Sequence, residues 1–184
     1  MKPQDFNTKI ITKRLILKGR RHPTRKMAAA FSNLIQHNLK FFRKWISFAQ
    51  KKNTPELSYQ KCCKSSQLWK DLKEADYNIF LKNGELIGQI NMKNINYKTA
   101  SGEIGYYMGK KYTGKGYMTE AVLALEAEFF KRGIKRIIIC TDKNNTASIN
   151  VARRCGYKLY RTKTDTTKQF KRTTVIYSKQ NPNG

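Results

Sequence analysis

The chain has 184 residues, the size of one ordinary domain. Its 39% hydrophobic and 11% aromatic content is too high for a disordered chain, and 38 basic against 12 acidic side chains give a net charge of +26. No apolar run approaches the ~20 residues of a membrane span, and the N-terminus lacks a signal-peptide core. The four cysteines form no CxxC pair, so we expect a cytoplasmic protein with no metal site and no disulfide framework.

The positive charge is spread along the chain, but one stretch is purely basic. Thirteen basic residues and no acidic residue lie between Asp5 and Glu56. Two interpretations stay open: solubility or compositional bias, and attraction of an anionic partner such as nucleic acid or an acidic protein. The second interpretation predicts that the stretch from Lys9 to Lys52 forms a basic surface.

The first half of the chain predicts an antiparallel meander preceded by helices. Alternating Leu15 and Leu17 indicate an opening strand, and Pro55 suits the first turn of a helix. Asn83-Gly84 between two apolar runs is a strong hairpin signal. The predicted elements are a strand over Thr12–Lys18, helices over Pro23–Trp45 and Pro55–Asp76, and strands over Tyr77–Leu81, Glu85–Asn94 and Glu103–Met108.

The second half predicts a strand–helix–strand unit. A loop over Gly109–Gly116 leads into a helix that ends at Gly133, and the continuous apolar run Arg136–Thr141 is typical of a buried parallel strand. A helix from Asn145 to Gly156 and strands over Tyr157–Thr162 and Thr173–Ser178 follow. The order predicts an α/β fold (an α+β mixed sheet): a mostly antiparallel sheet, one parallel strand–helix–strand unit, and helices on both faces.

The loop Gly114-Lys115-Gly116 predicts an anion site, because free amides and the helix dipole at a helix N-terminus favour negative charge. Glycines let the backbone approach a phosphate closely. One interpretation is a P-loop, since Gly109-x-x-x-x-Gly114-Lys115 fits its pattern. However, Gly116 stands where Ser or Thr would hold magnesium.

A second interpretation is a resemblance to the GNAT acetyltransferase superfamily. Its coenzyme loop resembles Lys111-Tyr112-Thr113-Gly114-Lys115-Gly116, with Lys111 in place of Gln or Arg. The resemblance is specific over residues 102–157 and looser on either side. The stretches that resemble the RimJ/RimL-like, ribosomal-protein N-acetyltransferase branch are Glu103–Gly109, Tyr112–Ala121, Asn145–Ala152, Gly156-Tyr157 and the opening strand Thr12–Leu17.

This resemblance implies acetyl-coenzyme A as the donor, with its pyrophosphate on the amides of residues 111–116. The backbone of Tyr107 and Met108 would lie along the pantetheine arm between two splayed strands, and Asn145 would contact the arm beyond the second of them. The full set of coenzyme-binding residues implied is Tyr107, Met108, Gly109, Lys111, Tyr112, Thr113, Gly114, Lys115, Gly116, Tyr117, Met118, Thr119, Asn145 and Ser148.

Acetyl transfer to an amine needs a deprotonated amine, donors for the oxyanion, and a partner for the departing thiolate. Glu103 is the candidate base, through a water, unless it is a structural hydrogen-bond acceptor. Many members of the superfamily place a tyrosine acid where this chain has Ala152. The resemblance therefore implies Ser148 as the partner of the thiolate; its alternative role is a helix cap. Glu120 is interpreted as complementing the helix dipole.

The predicted function is acetyl-CoA-dependent N-acetyl transfer, directly to a protein N-terminal α-amine or a small amine, by one domain over residues 1–184. The helices over about 23–76 would form the acceptor side, suited to an acidic or ribosomal acceptor. An alternative is a nucleic-acid-binding or ribosome-associated module of the same fold, stacking bases on Phe41, Phe42 and Trp45; a P-loop nucleotide binder is a third. Cys140 and Cys155 are interpreted as small core residues.

Overall fold

The structure, a computed structural model, describes residues 5–46, 54–165 and 172–182. Within these ranges, eight strands form one sheet in the order β1-β2-β3-β4-β5-β6-β8-β7. The strands are β1 (Lys9–Ile11), β2 (Leu15–Gly19), β3 (Ala75–Leu81), β4 (Leu86–Asn96), β5 (Ser101–Met108), β6 (Arg136–Asp142), β7 (Lys158–Asp165) and β8 (Arg172–Gln180). The helices are α1 (Arg25–His37), α2 (Leu39–Phe42), α3 (Pro55–Lys70), α4 (Tyr117–Lys131) and α5 (Thr146–Arg154), with a 3₁₀ turn over Lys110–Tyr112.

The sheet is mixed, as the sequence predicts. Strands β1 to β5 form an antiparallel meander, and β5 then pairs in parallel with β6. That parallel register covers only Ser101–Glu103 against Arg136–Ile138. Strand β6 is instead held over its full length by antiparallel pairing with β8, and β7 lies at the edge. Beyond Glu103, therefore, β5 and β6 part and leave a cleft between them.

Helices cover both faces of the sheet, and successive side chains of β5 pack against helices on opposite faces. Ile104 belongs to the main apolar core together with residues of α4 such as Leu125 and Phe129. Tyr107 points to the opposite face, because the two positions differ by an odd number along a strand, and it contacts Phe31 of α1 and Phe42 of α2. No helix within the described ranges is long and apolar enough to cross a membrane.

The predicted helices are longer than the observed ones. The helix expected over Pro23–Trp45 is two helices, because Asn38 leaves the helical region with ψ near 14° and turns the chain. The helix expected over Pro55–Asp76 ends at Lys70, and Asp76 lies in β3. The opening strand begins at Leu15 instead of Thr12 and is preceded by the unexpected short strand β1.

Some basic residues of the stretch between Asp5 and Glu56 are buried or paired with acids, so the exposed basic surface is smaller than the composition predicts. Arg20 is only 3% exposed; it donates to Cys62 at 2.8 Å and lies 3.6 Å from Asp76. Burial opposes the charge of Arg20, but Asp76 and Cys62 outweigh it and raise its pKa. Three more basic members of the stretch pair with acids: Arg14 with Glu120, Arg21 with Asp5, and Arg25 with Glu56. Lys51 and Lys52 lie outside the described residues.

Candidate active site

A cavity of about 760 Å³ opens where β5 and β6 part. Its walls come from α2, β5, the glycine loop, the first turn of α4, the end of β6, and α5. Eleven of the expected coenzyme-binding residues line it: Tyr107, Met108, Tyr112, Thr113, Gly114, Gly116, Tyr117, Met118, Thr119, Asn145 and Ser148. The fold therefore brings most of the predicted site to one place.

The glycine loop has the backbone that an anion site needs. Gly114 and Gly116 have φ of 78° and 77°, the left-handed region that glycine adopts freely. Gly116 is the N-cap of α4 and offers no side chain to cap it, so first-turn amides are left for another partner. Thr119 is a residue of the cavity wall, and its buried hydroxyl has no hydrogen-bond partner among the described residues. A polar, phosphate-bearing ligand fits these groups.

Three expected binding residues, Gly109, Lys111 and Lys115, do not line the cavity. Gly109 is buried, and a Cβ there would lie 3.2–3.3 Å from the ring of Tyr112 and the side chain of Asn38. The ammonium of Lys111 lies 2.7 Å from Glu85 instead of pointing into the cavity. Hydrogen bonds from Lys111 and Tyr112 lower the pKa of Glu85, and the same contacts raise that of Lys111.

The loop is braced from the N-terminal part of the chain. The guanidinium of Arg14 donates to the carbonyl of Lys115 at 2.9 Å and to Glu120 at 2.6 Å, and it lies over the ring of Tyr117. Thr12 and the backbone of Arg14 also donate to Glu120. Partial burial works against ionisation of Glu120, but these hydrogen bonds prevail and lower its pKa. The helix-dipole interpretation of Glu120 missed this role as an anchor for the Thr12–Arg14 turn.

Ser148 lies at the cavity in the third position of α5, and it does not cap that helix. Asn145 is the N-cap, and its side chain accepts from the amide of Ser148 at 3.2 Å. The hydroxyl of Tyr106, from β5, lies 3.0 Å from the Ser148 hydroxyl and 3.1 Å from its carbonyl oxygen. Tyr106 is a cavity residue that sequence reasoning left without a role, since nothing local relates positions 42 residues apart.

Glu103 lies just below the cavity, whose β5 wall begins at Ile104. Its carboxylate pairs with the ammonium of Lys93 at 3.0 Å and accepts from Asn94 at 3.0 Å. Cys140, which interacts with Glu103, lines the cavity wall, and burial with help from Glu103 raises the pKa of its thiol to about 11. Cys140 is therefore a half-buried wall residue, not the core residue expected, whereas Cys155 is buried as predicted.

The far wall of the cavity is aromatic and basic. Phe41, Trp45 and Ile46 line it, with Lys40 and Lys44 beside them. Phe42 is 2% exposed and packs on Tyr107, so it is not available for stacking. Asn38 connects this wall to the segment before the glycine loop, because its side-chain oxygen accepts a hydrogen bond from the amide of Lys110 at 2.8 Å.

Comparison with known proteins decides the family. Residues 14–158 match the model of the acetyltransferase (GNAT) domain. The chain belongs to the GNAT acetyltransferase family. A relative from Bacillus subtilis (strain 168), named "Putative ribosomal N-acetyltransferase YdaF", is 28% identical over 134 residues, which are 72% of this chain and 73% of the relative.

Two solved acetyltransferase structures share the fold over nearly their whole length. The microcin C7 self-immunity acetyltransferase MccE, solved with acetyl-CoA and AMP, has a TM-score of 0.83 and 26% identity, covering 92% of this chain and 93% of its own. RimL, the ribosomal L7/L12 α-N-protein acetyltransferase solved with coenzyme A, has a TM-score of 0.83 and 21% identity, covering 94% and 97%. At that identity the second likeness shows the fold alone.

This GNAT protein is an N-acetyltransferase, and acetyl-CoA is its co-substrate. The P-loop interpretation is wrong, because the glycine loop follows a strand of a largely antiparallel GNAT sheet and not of a doubly wound parallel one. Among the described residues, no group of three or more His, Cys, Asp or Glu side chains could hold a metal ion.

Proposed function

We propose that this GNAT enzyme transfers the acetyl group directly to the N-terminal α-amine of an acidic or ribosomal protein. The observation that carries the proposal is one continuous cavity, which is lined by the glycine loop, by Ser148 and by the basic wall at Lys40 and Lys44. The named function of the Bacillus subtilis relative supports this class of acceptor. The proposal treats residues 1–184 as one cytoplasmic domain whose acceptor side is built from the early helices.

In this proposal each part of the cavity has a distinct task. The amides of Tyr112 and Thr113 donate to the carbonyls of Gly109 and Lys110 within the 3₁₀ turn. The pyrophosphate is therefore bound by the other amides of residues 111–116. The backbone of Tyr107 and Met108 binds the pantetheine arm, opposite the end of β6. Ser148 donates a hydrogen bond to the departing thiolate, and Glu103 takes up the amine proton through a water.

A second class of acceptor, a small amine that carries a nucleotide, is favoured by one observation. Phe41 and Trp45 lie on the cavity wall with Lys40 and Lys44, and the ammonium of Lys44 lies 4.8 Å from the centre of the Trp45 ring, so a phosphate and a base would bind side by side. The MccE structure, at 26% identity, contains AMP as well as acetyl-CoA. The two classes share the requirement for an anionic acceptor, but only the second requires an aromatic base.

The test is an acceptor screen with mass detection, preceded by calorimetric binding of acetyl-CoA. The screen compares peptides with acidic and neutral N-termini, ribosomal proteins, and aminoacyl nucleotide analogues. We expect acetyl-CoA to bind and acidic N-termini to be acetylated at the α-amine. If only the aminoacyl nucleotide analogues are acetylated, the protein N-terminus is not the acceptor and the second class of acceptor is supported. Generic RNA that binds while acetyl-CoA does not, with affinity falling steeply between 50 and 200 mM salt, would support the nucleic-acid-binding alternative instead.

Ser148→Ala tests the proposed chemical role. We expect kcat to fall about tenfold or more while the Kd for acetyl-CoA stays within about twofold, because the hydroxyl acts on charge that develops during the reaction. Ser101→Ala is the matched control, since Ser101 lies at the paired end of β5 and contacts Thr99. Equal turnover of Ser148→Ala and the wild type would contradict the role.

A further inference from the structure

The hydroxyl group that contacts Ser148 comes from the adjacent wall of the cleft. Tyr106 projects from β5 to α5 and reaches both oxygen atoms of Ser148, at 3.0 and 3.1 Å. The Ser148 amide is already bound to Asn145. Ser148 is thus fixed at its amide, its carbonyl and its hydroxyl, although its side chain lies on the wall of an open cavity.

Two arrangements of hydroxyl protons satisfy this geometry. In the first, Tyr106 donates to the carbonyl of Ser148 and accepts the Ser148 proton, which is then directed away from the cavity. In the second, Tyr106 donates to the Ser148 hydroxyl, whose own proton is free to point into the cavity. An anion in the cavity favours the second arrangement, because it gains a charge-assisted hydrogen bond.

We propose that Tyr106 is a positioning residue that directs the Ser148 proton at the sulfur of coenzyme A as thiolate charge develops. This inference rests on the proposed role of Ser148. When the acetyl group moves, the new C–N bond forms and the C–S bond breaks, leaving its electron pair on sulfur. Tyr106 and Ser148 then form a chain of two hydrogen bonds that ends at that sulfur. Chains of this kind strengthen each member by polarisation.

The pair stabilises the thiolate without protonating it. Burial raises the pKa of Tyr106 to about 12, with the Ser148 hydrogen bond opposing that rise. An ordinary thiol has a pKa of about 8.5, so moving the tyrosine proton through Ser148 to sulfur would be uphill. The amine proton leaves by another route, and coenzyme A departs as the thiolate.

The pKa of the enzyme-bound coenzyme A thiol is a direct measure that needs no acceptor. Thiolate absorbance in the ultraviolet is followed against pH with saturating coenzyme A, and desulfo-coenzyme A provides the blank. We expect Tyr106→Phe to raise the pKa of the bound thiol by about 0.5 to 1, the size of one hydrogen bond. Ser148→Ala should raise it at least as far, and the double variant no further than Ser148→Ala.

Tyr77→Phe is the control for loss of a buried tyrosine hydroxyl. Tyr77 donates to the carbonyl of Asn7 at 2.7 Å and lies away from the cavity, so its variant should leave the bound thiol unchanged. A ring-fluorinated tyrosine at position 106 keeps the fold and makes the hydroxyl a stronger donor. It should lower the pKa of the bound thiol, so the proposal stays testable if Tyr106→Phe unfolds.

Turnover with the acceptor found in the screen adds a second measure. Tyr106→Phe should lower kcat about threefold to tenfold with little change in KM for acetyl-CoA. A Tyr106→Phe variant with wild-type thiol pKa, or a loss that adds fully to that of Ser148→Ala, would overturn the role of Tyr106. Failure of the wild type to bind coenzyme A or to acetylate any amine would instead overturn the proposed function.

Discussion

Two residues, Gly114 and Gly116, set the conformation of the glycine loop. Gly114 and Gly116 both have a left-handed backbone, which costs a residue with a Cβ about 1–2 kcal/mol. A Cβ at Gly114 would meet no atom within 4 Å, so strain and blocked ligand approach, not a clash, are the penalties there. We expect the double variant Gly114→Val, Gly116→Val to stay folded and to lose measurable affinity for acetyl-CoA by calorimetry.

Gly133→Ala is the matched control, because Gly133 has φ of 83° but lies at the other end of α4. It should lower thermal stability through the same backbone strain, at one position instead of two, and leave the Kd for acetyl-CoA unchanged. A loop variant that is folded and binds acetyl-CoA normally would contradict the assignment of residues 111–116.

Glu103 tests whether the amine proton leaves through the β5–β6 junction. If Glu103 is the base, Glu103→Gln should lower kcat most near neutral pH, and activity should recover partly at high pH, where free amine is plentiful. The measurement is the pH–rate profile at saturating acetyl-CoA. If Glu103 only pairs with Lys93 and Asn94, the variant and Lys93→Met should both lose stability while the shape of the profile stays unchanged.

The Thr12–Arg14 turn before β2 supports the glycine loop. Arg14→Lys keeps the charge but removes the geometry that joins Lys115 and Glu120. We expect the Kd for acetyl-CoA to rise about twofold to tenfold, the effect of one or two hydrogen bonds. Arg25→Lys, whose exposed partner Glu56 lies on α3, should change neither affinity nor turnover.

The same turn makes the loop sensitive to acid. The pKa of Glu120 is lower in the folded chain than its usual value of 4.5, so the stabilisation is complete above that value. It is lost as the pH falls through the lowered pKa. The difference in thermal stability between wild type and Glu120→Gln, measured by unfolding scans, should therefore be constant above the usual value of 4.5 and shrink progressively as the pH falls below it. A difference that stays constant below that value would exclude this role of the carboxylate.

Local sequence patterns predict the helices, the strands and the glycine loop, but not the hydrogen bonds between residues that are distant in the sequence. The hairpin at Asn83-Gly84 and the helix after Gly116 follow from turn and capping chemistry, which act over a few residues. The break at Asn38 was missed because its partner, the amide of Lys110, is 72 residues away. The pairing of Tyr106 with Ser148 was missed for the same reason.

For the whole molecule, the net charge of +26 attracts an acceptor most effectively where basic side chains line the cavity. Because Arg20 is buried and three neighbouring arginines are paired, Lys40 and Lys44 at the cavity replace them as candidates. We expect Lys40→Glu with Lys44→Glu to abolish any preference, in kcat/KM at saturating acetyl-CoA, for a peptide with acidic residues at positions two to five. The preference of the wild type should weaken as salt shortens the screening length to ~8–10 Å at 0.1–0.15 M.

The control is Lys98→Glu with Lys131→Glu, two exposed lysines that do not line the cavity. This pair makes the same change in net charge. If both double variants lower kcat/KM for the acidic peptide equally, the overall charge and not the cavity wall attracts the acceptor. If neutral and acidic peptides react equally with the wild type, solubility or compositional bias explains the charge.

The short parallel register between β5 and β6 has a consequence for the speed of the catalytic cycle. Each strand is held along its length by an antiparallel neighbour, β4 for β5 and β8 for β6, and only three residue pairs join β5 to β6. These pairs lie at one end of the two strands, so a wider separation at the other end breaks neither antiparallel pairing. We expect release of coenzyme A to need only such a widening, a motion of the kind that sets many turnover rates on the microsecond to millisecond scale.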